Sequence, residues 1–347
     1  MTSAGTWAVV PMGLLDQPLN TFWQLFFRPT GASRWSDEAS ALAVATNGGL
    51  LVATPNGESL VVGIRPANLL DYSPLLVTTD AGRTWLAVPP LSPLAKQPDA
   101  LATGPGGHAL ALVNANQGGE VLESTGGLSD WHELTTASEL AASPAGRSCG
   151  LVAMTAVGFV AGQALIGASC RLPGTVGMYA HRSGAWRLVG PALSGASDKA
   201  SVKVLGLQPT TDGLYALLGL STPHGTSLFA AWTNGAAVQW HVSRVHPLAV
   251  SQQALSFGTA GPRGLFVLTS GPEGLSTLLV LTGPGEPWST LPSPPAGTST
   301  VVFGAAGKVD ALAVHDTSFT DWRLASSSRR WAKEQAVRVA IQLGSSS

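Results

Sequence analysis

The chain has 347 residues, of which 45% are hydrophobic and 11% charged, with a formal net charge of −1. That apolar content supports a sizeable core and excludes wholesale disorder. The sparse, balanced charge leaves no Lys/Arg footprint for nucleic acid or an anionic membrane, and the 41 glycines and 24 prolines argue for many turns, with helix below about 5%.

Met1 to Trp7 shows neither a basic nor an apolar leader region, and Gly344 to Ser347 reads as a linker or tag remnant. Hairpins then follow one another. Phe22–Phe27 runs to Trp35, and Leu75–Thr78 to Trp85. Gly119–Leu122 runs to Trp131, Val176–Tyr179 to Trp186, and Ser227–Ala230 to Trp240. Leu278–Leu281 runs to Trp288, and Trp322–Leu324 to Trp331. In each, an apolar strand and a small-residue turn lead to a Trp that opens a second strand. Between them lie more apolar pairs: Ala41–Val44 with Gly49–Ala53, Val204–Leu207 with Gly213–Leu218, Ala254–Phe257 with Gly264–Leu268, and Val301–Gly304 with Val309–Val314. Their near-continuous apolar character is that of strands covered on both faces.

Leu151 to Ala168 is uncharged over 18 residues, near the lower limit of about 17 for a spanning helix. Gly158, Gly162, Gly167 and Gln163 interrupt it, so it reads as a strand-turn-strand, and no membrane span is expected. Cys149 and Cys170 flank it and are expected to form a disulfide, which fits an exported protein.

The tryptophans recur at steps of 43 to 55 residues, the period of a four-stranded propeller blade. The expected fold is therefore all-β: a seven-bladed β-propeller of four-stranded antiparallel blades, six and eight being the neighbouring counts. It forms a single domain over 3–343. The 34 residues before Trp35 and the 16 after Trp331 make one further unit. The N- and C-terminal strands would then share a blade, Val337–Ile341 pairing near Trp7–Val10, and so remove an open edge.

Thr78-Thr79-Asp80-Ala81-Gly82-Arg83-Thr84-Trp85 resembles the Asp-box of BNR-repeat, sialidase-like propellers. The Asp carboxylate can accept N–H bonds across the turn, and Gly supplies a positive φ. Leu281–Trp288, Ser124–Trp131, Thr233–Trp240 and Ala180–Trp186 are worn copies. The resemblance implies structural roles for Asp80, Gly82 and Trp35, Trp85, Trp131, Trp186, Trp240, Trp288 and Trp331, with no activity attached.

Enzymes of that family use an arginine triad, an Asp acid/base and a late Tyr nucleophile. Phe27-Arg28-Pro29 is a weak echo of the first arginine motif, and the only tyrosines are Tyr72, Tyr179 and Tyr215, none of them late. Carboxylate pairs that could serve a glycosidase are Glu120 with Glu123 and Asp310 with Asp316. The seven histidines lack ligand spacing, and no phosphate-binding glycine loop occurs, so no metal or cofactor is expected. Trp23, Trp232 and Trp322 lie outside the repeat positions. With Arg28 they are candidate ligand contacts, although packing between blades is the more usual role of large aromatics in a propeller. The expected function is a non-enzymatic, secreted or leader-anchored extracytoplasmic scaffold that binds a protein or glycan through its loop face. The alternative is a glycan-active hydrolase, which would need three of Arg28, Arg65, Arg147, Arg171, Arg244 and Arg263 to converge over a carboxylate.

Overall fold

The computed structural model describes residues 5–13, 21–38, 49–54, 59–64, 75–88, 98–126, 128, 130–193, 200–210, 212–234, 239–271, 275–304, 307–325 and 329–339. They form an all-β propeller of antiparallel sheets. The first contains β1 (Gly5–Gly13), β2 (Thr21–Pro29) and β3 (Ser36–Asp37). The second contains β4 (Leu50–Ala53), β5 (Leu60–Ile64), β6 (Leu75–Thr78) and β7 (Leu86–Ala87). The third contains β8 (Pro98–Thr103), β9 (Ala109–Val113), β10 (Glu120–Ser124) and β11 (Trp131–Thr136). Two short helices follow, α1 (Ala137–Ala142) and α2 (Pro144–Cys149).

The fourth sheet has nine strands. One group is β12 (Leu151–Val160), β13 (Gln163–Cys170), β14 (Gly177–Arg182) and β15 (Ala185–Leu188). The other is β16 (Ser201–Thr210), β17 (Gly213–Thr222), β18 (Gly225–Thr233), β19 (His241–Val242) and β20 (His246–Pro247). The fifth sheet is β21 (Gln253–Thr259), β22 (Leu265–Ser270), β23 (Ser276–Leu281) and β24 (Ser289–Leu291). The sixth is β25 (Thr298–Phe303), β26 (Val309–His315), β27 (Ser318–Ala325) and β28 (Arg330–Arg338).

The core lies between sheets rather than within any one of them. The second strands are buried on both faces, and β5 and β9 are buried throughout. Leu25 packs with Leu60, Val62 and Ile64, and Val61 and Val77 pack with Ala109, Ala111 and Val113. Similar clusters continue around the ring to the last sheet. There Val10, Met12 and Phe26 meet Leu312, Val314 and Phe319, with the Phe26 and Phe319 rings edge to face at 4.9 Å. Each such contact removes apolar area from water, at about 25 cal/mol per Å2.

The expectation of seven equal four-stranded blades is corrected by this topology. Five discrete blades have three or four strands each, and the remaining sheet is a single one of nine. Counting tryptophans counts outer-strand positions, and it is blind to whether neighbouring groups hydrogen-bond. Here they do, through one residue pair, Ser169 with Lys203. Gly167 permits the approach, since a Cβ there would stand 2.5 Å from Val204 Cγ1.

The shared terminal blade is corrected as well. Among the described residues β1 pairs with β2 and β28 with β27, in different sheets. Side chains and a few bonds close the ring instead, including Gly13 N–H to the Asp316 carbonyl and Thr300 Oγ1 to the Val9 carbonyl. Ala41–Val44 lies outside the described residues, and β4 takes β5 as its partner.

The helices end at a disulfide. Thr136 and Glu139 cap α1 reciprocally, Ser143 caps α2, and Cys149 at the end of α2 is bonded to Cys170 at the end of β13. Among the described residues no helix is long and apolar enough to cross a membrane.

Candidate functional site

The innermost strands surround a central cavity of about 480 Å3, lined from β1, β4, β8, β16, β21 and β25. None of its described lining residues is charged. Its wall combines aromatic faces, from Trp7, Trp23 and Phe257, with the polar groups of Thr54, Thr103, Gln208, Ser256 and Ser299. Trp7 is held against Phe27 at 4.5 Å and meets Trp85 edge-on at 6.5 Å. Thr103 Oγ1 donates to the Thr54 carbonyl at 2.8 Å, whereas the Ser256 and Ser299 hydroxyls are buried without a partner. Aromatic faces and hydroxyls suit stacking and neutral hydrogen bonding, and among the described lining residues no group would transfer a proton near neutral pH.

Of the four candidate ligand contacts, Trp23 on β2 lies on the cavity wall. Trp232 is buried between β17–β18 and the fifth sheet, and Trp322 packs against the cluster between the fifth and sixth sheets. Arg28 lies at the ring closure. Its Nη2 donates to Asp310 Oδ2 at 2.5 Å and its Nη1 to Asp321 Oδ2 at 3.1 Å, with its guanidinium 4.4 Å over the Trp35 ring. Arg323 Nε donates to Asp310 Oδ1 at 2.9 Å, and Trp35 Nε1 donates to Asp321 Oδ2 at 2.9 Å. Asp310 and Asp321 are each 1% exposed. Burial pushes the Asp321 carboxyl upward, against the opposing pull of the Trp35 hydrogen bond. Sequence reasoning missed this network, because residues 282 and 293 positions apart carry no local signal of meeting.

The other arginines do not converge. Arg65 lies outside the described residues. Arg147 on α2 donates to the Ala142 carbonyl, Arg171 and Arg244 are exposed, and Arg263 pairs with Asp212. Tyr72 also lies outside the described residues. Tyr179 and Tyr215 are fully buried, and burial raises both phenols to about 12. Glu120 and Glu123 stand three apart on one strand and so face opposite sides of their sheet, while Asp316 is exposed in a turn. Glu123 lies between His108 and His132 at 3.8 and 3.9 Å, yet no described group of three is placed to hold a metal ion.

The Thr78–Trp85 turn forms as a closed unit. Thr84 donates to Asp80 through its backbone N–H at 2.9 Å and its hydroxyl at 2.6 Å, and Thr78 Oγ1 donates to Asp80 Oδ1 at 2.8 Å. Gly82, at φ +90°, donates its N–H to Thr78 Oγ1. The Thr84 hydrogen bonds hold the Asp80 carboxyl down at about 2. Trp288 and Trp331 donate their indole N–H to the carbonyls of Arg244 and Pro292, beside the outer strands of the preceding sheet, and Trp240 donates to the Val189 carbonyl across the two halves of the nine-stranded sheet. Trp131 donates to Leu128 within its own hairpin, and Trp186 lies beside His181 at 4.9 Å.

No family model matches the sequence, and no curated protein does. Solved structures match in fold. A Pseudomonas aeruginosa periplasmic gluconolactonase is 13% identical with a TM-score of 0.57, over 96% of each chain. The BP39L lectin from Burkholderia pseudomallei is 14% identical with a TM-score of 0.54, over 97% of this chain and all of its own. TolB from Acinetobacter baumannii is 11% identical with a TM-score of 0.51, over 85% of this chain and 65% of its own. Likeness at such identity establishes the propeller fold alone. The Asp-box, sialidase-like resemblance is therefore corrected: with no family model matching and another blade arrangement, one well-formed turn does not carry a family. The turn is a local solution that any hairpin with Asp, Gly and Thr in register can adopt.

Proposed function

We propose that the protein is a non-enzymatic binding propeller that works outside the cytoplasm and takes a neutral, hydroxyl-rich ligand of the glycan class in its central cavity. The observation that carries this reading is the uncharged lining, in which Trp7 and Trp23 stand beside serine and threonine hydroxyls. Sugars present apolar faces to stack on indole and hydroxyls to exchange with such groups, and they need no counter-charge. The fold is compatible with both a lectin and a lactonase, so the lining has to decide between binding and turnover. A hydrolase would need a carboxylate at the reacting bond, and the described residues of the cavity wall offer none. The Cys149–Cys170 disulfide supports an oxidising compartment.

The test is a glycan array followed by calorimetric titration of any hit against the parent and Trp23→Ala. Binding should weaken about tenfold or more in the variant, and the bound glycan should be recovered intact. Cleavage of the glycan, or equal binding by the variant, overturns the reading.

A further inference from the structure

The outer edges of the blades are short, with one exception. β3, β7, β19 and β20 have two residues each, β24 three, β15 four and β11 six. At the rim of the last sheet β28 runs for nine, Arg330–Arg338. We propose that β28 is a docking edge that takes an acidic, extended segment of a partner protein as an added strand.

The backbone supplies the first part of the argument. Among the described residues β28 pairs with β27 alone. Val339 N–H donates to the Thr317 carbonyl at 2.9 Å, which sets the alternation of the antiparallel ladder. Val337 and Gln335 therefore also face β27, while Ala336 and Arg338 turn their N–H and C=O groups outward. Arg330, Ala332, Lys333, Glu334, Ala336 and Arg338 are all exposed. A long open edge is a template for another strand, which is why proteins ordinarily keep such edges short.

Side-chain charge then selects the strand. Arg330, Lys333 and Arg338 are positive, and the one acid of β28, Glu334, is already matched by Arg323 Nη1 at 3.3 Å. Arg329, in the turn before β28, adds a further exposed cation. The segments 326–328 and 340–347, which flank β28 in the chain, hold no acidic residue. A second copy of β28 fits poorly: laid antiparallel about its centre, it sets Arg330 opposite Arg338 and Glu334 opposite itself, and like charges directly opposite destabilise a strand pair. A strand carrying carboxylates places them about 5 Å from those cations, with main-chain bonds supplying affinity and charge selecting the partner. The edge is the strand of its sheet farthest from the central cavity, so the proposal does not depend on the glycan reading.

Fluorescence-anisotropy titration of the intact protein with labelled short peptides tests this. The probes are a peptide of alternating glutamate and valine, the same peptide with lysine for glutamate, and the glutamate peptide with its backbone nitrogens methylated. The first should bind saturably and at least about tenfold more tightly than either of the others, the lysine peptide failing on charge and the methylated one on main-chain pairing. Ala336→Pro removes an outward N–H on an edge where proline is tolerated, and should weaken the glutamate peptide about tenfold. Lys333→Glu combined with Arg338→Glu should turn the preference towards the lysine peptide. Equal binding of the lysine or the methylated peptide, no saturable binding at about 1 mM, or a dimer in ultracentrifugation that Ala336→Pro dissolves each overturns the proposal. The comparison of peptides needs no variant, so the result stands even if a substitution impairs folding.

Discussion

Arg28 shows how little of a buried charge network a sequence reveals. The residue sits in an apolar stretch, Phe26-Phe27-Arg28-Pro29, and pattern alone offers it as a surface group or a ligand contact. In the fold it is 9% exposed and pairs with two nearly inaccessible carboxylates, one of which Arg323 also holds. Arg28→Met should cost about 3–5 kcal/mol in urea denaturation, since Asp310 and Asp321 would lose their shared counter-charge. Asp80 is the opposite case, legible because every partner lies within four residues of it. Its folded carboxyl is lowered from 3.8 to about 2. A lowered acid contributes stability above its unfolded value and loses it as pH falls through the folded one. Asp80→Ala should therefore melt slightly below the parent at pH 6. That gap should close as pH falls from about 4 towards 2, a trend that calorimetric melting curves would display.

Elements were readable where they are local. The β21–β22 and β25–β26 hairpins, and β12–β13 between the cysteines, follow from apolar runs bounded by small residues. Leu50–Ala53 also takes Leu60–Ile64 as a partner, a pairing that apolar runs alone did not single out. The helices α1 and α2 were marked by Thr136 with Glu139 and by Ser143-Pro144, capping patterns easily lost in a chain so poor in helix. Their insertion is held by the Cys149–Cys170 bond across a separation of 21 residues. Replacing both cysteines by alanine should lower stability by about 3 kcal/mol in the loop-entropy picture. Urea titrations of the oxidised parent, the reduced parent and the variant measure this, and the last two should nearly coincide.

For the whole molecule, composition and period established a propeller, but blade count and closure were beyond them because they depend on pairings between distant strands. Of the candidate contacts read from the sequence, Trp23 lies on the wall of the central cavity, which is assembled from strands in all six sheets and so is announced by no single segment. Packing between sheets also sets the alkaline limit. Tyr179 and Tyr215 are raised from 10.0 to about 12 by burial, so the folded state favours their neutral forms. That stability is fully present below pH 10 and is lost as pH rises through 10 to 12. Melting temperature should fall steeply over that interval, and phenolate absorbance should rise together with unfolding rather than ahead of it. The seam between the first and last sheets also has a consequence in time. Every other joint links neighbours along the chain, whereas Arg28 and Asp310 are 282 residues apart. Closing a loop of that length costs about 1.5 kcal/mol more entropy than closing one of about 50 residues. An arc of finished sheets can thus assemble during synthesis, from the N-terminus onward, with the ring shutting last. Residues at the seam then govern how long the ring stays shut far more than how fast the arc forms.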